Sequence, residues 1–468
     1  MYNIKSKIIG LDTLSFNILN ELCLRCSYIK LGFGVPKIRK YLINPNIGIL
    51  YTGLLSYVIA IFHKYNIEYM IQDKREKPIK KYNFNIVNGF TPRDYQQRLI
   101  SAAITKKRCV VQSATGSGKT FTLANIIKAF GVNTLVVAPK ASLSIQIRNE
   151  FQEFFGIKVG LINGTEIDIG TNKYYPIIVG TPQTLINHPE ILNWAEAVMC
   201  DEGHNIPAHT IFSLISQTKN AYYRVAVSAT PWRDDGCDLL IDALFAPRKP
   251  SDTVTASELI DKGVLVPVNI NFIRCQSNCD WQGDYASTYD TAIVNNEYRN
   301  NIIVNKAKLH FDKNEPTVIL ISKMKHGLKL LNMLNEQIDN KSFNINYQNK
   351  IYKVHTIEFL SGKDDIDTRE AVFQSIRQGK TKICIGSTIL DEGIDIKPLQ
   401  CLIMAQGGCS STRLFQRVGR VLRTSPGKEA ATVYDFIDSN PTLNNHSQIR
   451  LNLMRMEPCW NINFIEEE

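Results

Sequence analysis

No apolar run at the start of this 468-residue sequence leads into a small-residue cleavage site, so its first ten residues do not read as a secretory signal. No segment recurs at a fixed period and no tract is of low complexity, which excludes a solenoid. A nuclease-like cluster of carboxylates and lysine is also missing. The eleven cysteines do not assemble a zinc site: Cys23 with Cys26, or Cys275 with Cys279, supplies half of one, and no Cys/His pair stands near either. Cys109, Cys200, Cys384 and Cys401 lie in apolar runs and read as buried, reduced thiols, so no disulfide is expected. The uncharged stretch 42–62 approaches the length of a membrane span, but Asn44, Pro45, Asn46, Gly48 and Gly53 interrupt it. A short strand over 47–51 and a helix over 53–65 fit it better, and no membrane partner is expected.

What is present describes a globular chain, 44% hydrophobic and 21% charged, and too long for one core. The length prior is about three domains. A net charge of +10 favours a polyanionic partner without proving one. The excess is concentrated in residues 1–85, where thirteen Lys/Arg face five Asp/Glu. Lys37, Arg39, Lys40, Lys74, Arg75, Lys77, Lys80 and Lys81 make that end either a nucleic-acid surface or a solvated charged face on a stabilising appendage.

Residues 1–85 read as a small α/β domain ending in a strand over 67–72 and a basic linker. From 86 the pattern changes to apolar runs alternating with helical stretches, as a parallel sheet requires. Strands are expected over 109–112, 134–138, 177–180, 197–200 and 224–228. A second series follows a connecting segment near 245–265: 268–273, 317–321, 357–360, 382–385, 401–404 and 432–436. Continuous rather than alternating apolar runs indicate strands buried on both faces. The expected fold class is α/β: two tandem doubly wound lobes, 86–250 and 251–440, with an accessory domain at 1–85 and a tail at 441–468. Residues 342–347, 348–350 and 351–356 read as an inserted hairpin with aromatic Phe343, Tyr347 and Tyr352. It is either a plain surface hairpin or a projecting wedge, and deleting 344–353 tells the two apart.

The strongest chemical signal runs from Ser113 through Thr115, Gly116, Ser117 and Gly118 to Lys119 and Thr120, between a strand and a helix over 121–130. A glycine-rich turn there lets main-chain N–H groups close around phosphates at a helix N-terminus. Lys119 is expected to reach the β- and γ-phosphates of ATP and Thr120 to hold Mg²⁺; Ser113 replaces the usual first glycine. Such a loop needs a carboxylate at the end of a neighbouring strand, and Asp201 and Glu202 follow the run 197–200. Asp201 is expected to bind Mg²⁺ through water, and Glu202 to orient and deprotonate the attacking water.

With Asp201, Glu202, Gly203 and His204 as its signature box, the sequence resembles superfamily 2 helicases of the DEAD/DEAH-related type over residues 90–440. The resemblance implies two RecA-like lobes, an ATP-driven motor and a nucleic-acid track. It implies that Arg93 and Gln96 belong to an adenine-reading element, and that Pro139 and Lys140, with Gly180 and Thr181, grip one strand's backbone. His204, Ser228, Ala229 and Thr230 would couple hydrolysis to movement. In the second lobe Ser322 and Lys323, Ser361, Gly362 and Lys363, and Ser387 and Thr388 resemble further backbone contacts, while Gly393 and Asp395 would touch the nucleotide. Gln416, Arg417, Arg420 and Arg423 resemble the family's arginine motif; at helical spacing Arg420 and Arg423 share a face. In the family they enter the ATP site as arginine fingers, a role suited to a delocalised, fixed charge. The similarity is greater to phage- and repair-type DNA motors, branch-migration helicases like UvsW in particular. Forked, branched or duplex DNA is then the expected track, in the cytoplasm, the host's if the chain is phage-encoded. An RNA helicase and the translocating subunit of a restriction or remodelling complex remain the alternatives.

Overall fold

The computed structural model describes residues 4–30, 37–87, 89–230, 235–247, 253–276, 284–387 and 396–466. The chain divides into two compact units, Met1–Thr255 and Ala256–Glu468.

In the first unit, β1 (Lys5–Lys7), β4 (Ile43–Asn44) and β5 (Ile49–Tyr51) form a small antiparallel sheet in the order β1-β5-β4, beside the ribbon β2 (Ser27–Ile29) and β3 (Arg39–Tyr41). The uncharged stretch is β5, a 3-10 turn and the helix Leu55–Lys64, whose Val58, Ile61 and Phe62 are buried. That core includes Ala243 of the helix Leu239–Phe245, so the N-terminal module and the following lobe share apolar contacts. Gly53 sets how closely they pack: a Cβ there would lie 1.9 Å from the Asp242 carbonyl oxygen. Tyr57 donates to the Asp242 carboxylate at 2.7 Å beside it.

Residues 67–72 are not a strand. Ile67 packs against the N-terminal core, but Met70 is 92% exposed and Tyr69 and Ile71 are also exposed, so the rest of the segment has no buried face to stabilise it. The chain beyond is fastened to the lobe: Lys81 and Tyr82 donate main-chain N–H groups to the Gly131 carbonyl, and Lys81 pairs with Glu196 at 2.8 Å.

The lobe is built on an eight-stranded sheet of β6 (Arg108–Ser113), β7 (Thr134–Val137), β8 (Gly160–Ile162), β9 (Ile167–Asp168), β10 (Ile177–Gly180), β11 (Ala197–Cys200), β12 (Tyr223–Ser228) and β13 (Thr253–Val254). Their order is β13-β6-β12-β11-β7-β10-β8-β9, parallel except for the β8–β9 pair. Every residue of β7, β10 and β11 is buried, as expected of strands covered on both faces.

The second unit carries β14 (Val268–Cys275), β15 (Thr317–Leu320), the hairpin β16 (Ser342–Tyr347) and β17 (Lys350–His355), then β18 (Ile357–Leu360), β19 (Ile383–Gly386), β20 (Cys401–Met404), β21 (Ala431–Asp438) and β22 (Trp460–Ile465). Seven of these form a parallel sheet, β18-β19-β15-β20-β21-β14-β22. The segment expected as a tail instead supplies the helix Pro441–Met454 and the edge strand β22, which pairs with β14 from Val268 opposite Trp460 onward. The hairpin forms with a tighter turn than the expected 348–350: Lys350 joins β17 opposite Tyr347, and Gln348 and Asn349 take the left-handed region as a two-residue turn demands. Among the described residues no helix is long and apolar enough to cross a membrane.

Candidate nucleotide site

Parallel strands deliver their following loops to one edge of a sheet. At the carboxyl edge of the first unit's sheet these loops are the glycine-rich turn after β6, the Asp201–Glu202 pair after β11, the Ser228–Thr230 segment after β12, and Pro139–Lys140 and Thr181 after β7 and β10.

The turn after β6 is set by main-chain geometry. Gly116 and Gly118 adopt φ of 86° and 79°, in the left-handed region where a Cβ is strained, and Gly118 caps the helix Lys119–Phe130. The helix therefore begins two residues earlier than its apolar pattern implied, with Lys119 and Thr120 in its first turn. Ser113, in the position where a glycine was expected, is only 1% exposed, and its hydroxyl meets that of Ser117 at 2.6 Å. Tyr95 and Gln96, on the helix Asp94–Lys106, donate to the Ser117 carbonyl at 3.1 and 2.9 Å. Gln96 also accepts the Arg93 N–H at 3.0 Å and is 5% exposed, so this pair braces the phosphate loop from below.

Asp201 is 6% exposed. Burial, then the neighbouring Glu202 charge, raises its carboxyl well above the usual range, and Lys119 pulls it back down, so lysine and carboxylate act on each other across the turn. Glu202 takes φ of 49°, unusual for a non-glycine residue, and its N–H donates to the Asp201 carboxylate at 2.9 Å. A polar chain leads away from it: Glu202 lies 3.4 Å from His204 Nδ1, that nitrogen meets the Ser228 hydroxyl at 3.1 Å, and Ser228 Oγ accepts the Thr230 N–H at 3.2 Å. The residues expected to couple hydrolysis to movement thus form one connected path, with Ala229 between its last two members. Lys140 is exposed at the start of the helix Ala141–Phe155. Thr181, 5% exposed, caps the short helix Pro182–Leu185, and the Gly180 carbonyl accepts the Ala138 N–H at 3.0 Å.

In the second unit, Ser322 is exposed but Lys323 is engaged: its ammonium pairs with Asp290 at 2.7 Å and lies over the Tyr289 ring. Ser361, Gly362 and Lys363 form the turn after β18, and Ser387 follows β19. Thr388, Gly393 and Asp395 lie outside the described residues. Gln416, Arg417 and Arg420 ride on the helix Ser411–Val421, with Arg417 and Arg420 7% and 9% exposed. Arg423 does not continue it. The helix closes at Leu422, whose carbonyl accepts the Val266 N–H at 2.8 Å, and Arg423 pairs as an isolated bridge with Leu265. The shared helical face expected for the two arginines is thereby replaced by a helix residue and one just past its end.

Sequence reasoning passed over Lys428, Arg299 and Arg450, buried cations whose acceptors include main-chain carbonyls of the segment around this helix. No residue spacing announces such contacts.

A glycine turn opening a helix, a buried carboxylate at a neighbouring strand end, and a second parallel-sheet lobe carrying an arginine helix define a two-lobed RecA-like nucleoside triphosphatase. The family described as "Type III restriction enzyme, res subunit" matches residues 89–233, and "Helicase conserved C-terminal domain" matches 302–425. The DNA 3'-5' translocase XPB2 of Sulfurisphaera tokodaii is 27% identical over 365 residues, 73% of this chain and 80% of that protein. The ATP-dependent DNA helicase uvsW of Enterobacteria phage T4 is 25% identical over 375 residues, 74% of this chain and 68% of that protein. Among solved structures, a fragment of a putative HsdR subunit of a type I restriction enzyme from Vibrio vulnificus YJ016 superposes with a TM-score of 0.59 at 16% identity, covering 92% of this chain and 76% of that one. S. cerevisiae Dbp5 bound to RNA and ADP BeF3 gives 0.56 at 16% identity, covering 80% and 90%. At such identities the structural likeness concerns the fold. The chain belongs to the superfamily 2 helicases, ATP-hydrolysing motor proteins.

Proposed function

We propose that this protein is a DNA helicase or translocase acting on forked or branched DNA, driven by Mg²⁺-dependent ATP hydrolysis. The observation that carries the reading is the connected path from the phosphate loop through Asp201, Glu202, His204 and Ser228 to Thr230 at one sheet edge. DNA as the track is supported by the relatives uvsW, named a DNA helicase, and XPB2, named a DNA translocase, and the branched form by the motif resemblance to branch-migration helicases alone.

The N–H groups of residues 115–120 and the Lys119 ammonium bind the β- and γ-phosphates. The donor set suits a hard cation: Thr120 offers a hydroxyl and Asp201 a carboxylate. Magnesium, when bound with ATP, neutralises phosphate charge. Glu202 orients the attacking water and takes its proton, and Arg420 and Arg423 of the second unit supply the remaining positive charge on the γ-phosphate. His204 and Ser228 pass the change at Glu202 to the Thr230 segment. Lys140, Thr181, Ser322, Lys323, Ser361, Gly362, Ser387 and Thr388 hold the strand's backbone, so sequence preference is weak and salt dependence strong.

An ATPase assay with duplex DNA, single-stranded DNA, RNA and a four-way DNA junction as separate activators tests this, with Lys119→Ala as the blank. The junction is expected to stimulate most. Stimulation by RNA alone would remove the DNA reading, and DNA stimulation without strand displacement would favour the restriction-type translocase.

A further inference from the structure

The helix Ser411–Val421 is held at both ends by buried cations that grip its flanking main chain. At its far end Lys428, 7% exposed, donates to the carbonyls of Val421 and Arg423 and to that of Leu399, just before β20. At its near end Arg450, 4% exposed, donates to the Gly408 carbonyl at 2.8 Å, two residues before the cap Ser410. The rest of that guanidinium is locked by two 2.8 Å bonds to the Asp435 carboxylate on β21. His446, from the same C-terminal helix as Arg450, meets the Gly407 carbonyl at 3.1 Å.

A buried ammonium is costly unless each proton has an acceptor. Lys428 meets that condition with three main-chain carbonyls, two of them at a helix C-terminus where positive charge is favoured. Burial lowers its amine to about 8, so near neutral pH it keeps the three protons that the three carbonyls use. An apolar residue of similar volume would fill the space without fixing the orientation of the helix end. What these bonds hold is the main chain that carries Arg420 and, just past the helix end, Arg423.

We infer that Lys428 and Arg450 are positioning residues for ATP hydrolysis, fixing the two ends of the arginine helix through its main chain so that Arg420 and Arg423 are preset for the γ-phosphate. The inference rests on the arginine role proposed above. It assigns a catalytic consequence to the helix Pro441–Met454, which carries none of the helicase motifs.

The test is steady-state ATPase of the full chain with saturating duplex DNA, comparing Lys428→Met, Arg420→Ala and the double variant. Displacing a catalytic charge by about 1 Å costs on the order of 100-fold, so Lys428→Met is expected to lose about 10- to 100-fold in kcat with KM for ATP nearly unchanged. Because Lys428 acts through the arginines, with Arg423 alone left to position in the Arg420→Ala background, Lys428→Met is expected to cost less there than in the wild type, whereas independent structural damage would multiply the losses. Full kcat in Lys428→Met beside a slow Arg420→Ala, or multiplying losses, overturns the positioning role. Full kcat in Arg420→Ala instead overturns the arginine reading itself. Should Lys428→Met fail to fold, Arg450→Lys keeps a cation against Asp435 while shortening the reach to Gly408; it is expected to show the same loss and the same non-additivity with Arg420→Ala, and normal kcat in it refutes the inference.

Discussion

His326 gives the second unit an acid sensitivity whose size follows from its surroundings. Its ring is fully buried, with Nε2 donating to the Asn300 side-chain oxygen at 2.8 Å. Burial, then the Arg299 and Lys329 charges, depresses its imidazole from 6.5 to about 3. The folded state therefore holds the neutral ring, while the unfolded chain takes up a proton below its ordinary value near 6.5. Stability is fully present above that pH and is lost as pH falls from 6.5 towards 3, because the unfolded state binds the extra proton throughout that window. At pH 5 the deficit is about 1.5 pH units of linkage, about 2 kcal/mol. Urea unfolding of the wild type and of His326→Gln, each at pH 8 and pH 5, isolates it, since other titrating groups cancel in the comparison. The wild type should lose about 2 kcal/mol more than the variant between the two pH values. Parallel losses would show that the ring is protonated in the folded protein and refute the reasoning.

Three further outcomes follow from particular contacts. Gly118→Ala puts a Cβ 2.6 Å from Gln96 Nε2 at φ of 79°, so left-handed strain and a displaced brace should weaken ATP binding by about 2 kcal/mol, roughly thirtyfold, in a nucleotide titration. Gly53→Ala drives a methyl group into main-chain oxygens 1.9 and 2.6 Å away, and should destabilise the first unit by about 3 kcal/mol in urea. Lys140→Ala should weaken DNA binding alike across sequences and reduce the slope of log affinity against log salt by about 1, measured by anisotropy; an unchanged slope would remove it from the backbone contacts.

The buried strands were legible because burial on both faces leaves continuous apolar runs. Strands 177–180, 197–200, 357–360 and 401–404 begin and end where those runs do. Two edge features were not. Residues 67–72 carry strand-forming side chains but pair with no strand, and propensity alone cannot supply a partner. Conversely β22 alternates polar Asn461 and Asn463 with apolar residues and was passed over as a tail, although those asparagines donate across the edge to Asn269 and Asn271. In the site, the motif residues were legible because phosphate chemistry demands particular side chains at fixed spacing. The supports were not: Lys428 reaches a carbonyl at Leu399, and a main-chain acceptor leaves no trace in residue identity. Nor did spacing reveal that Lys323 pairs with Asp290.

Arg420 is proposed to bring positive charge to the γ-phosphate. Single-turnover hydrolysis of prebound ATP by Arg420→Ala, with saturating DNA, measures that step directly. A loss of about 10³-fold or more with ATP still bound is the expected result. Hydrolysis at the wild-type rate would contradict the account.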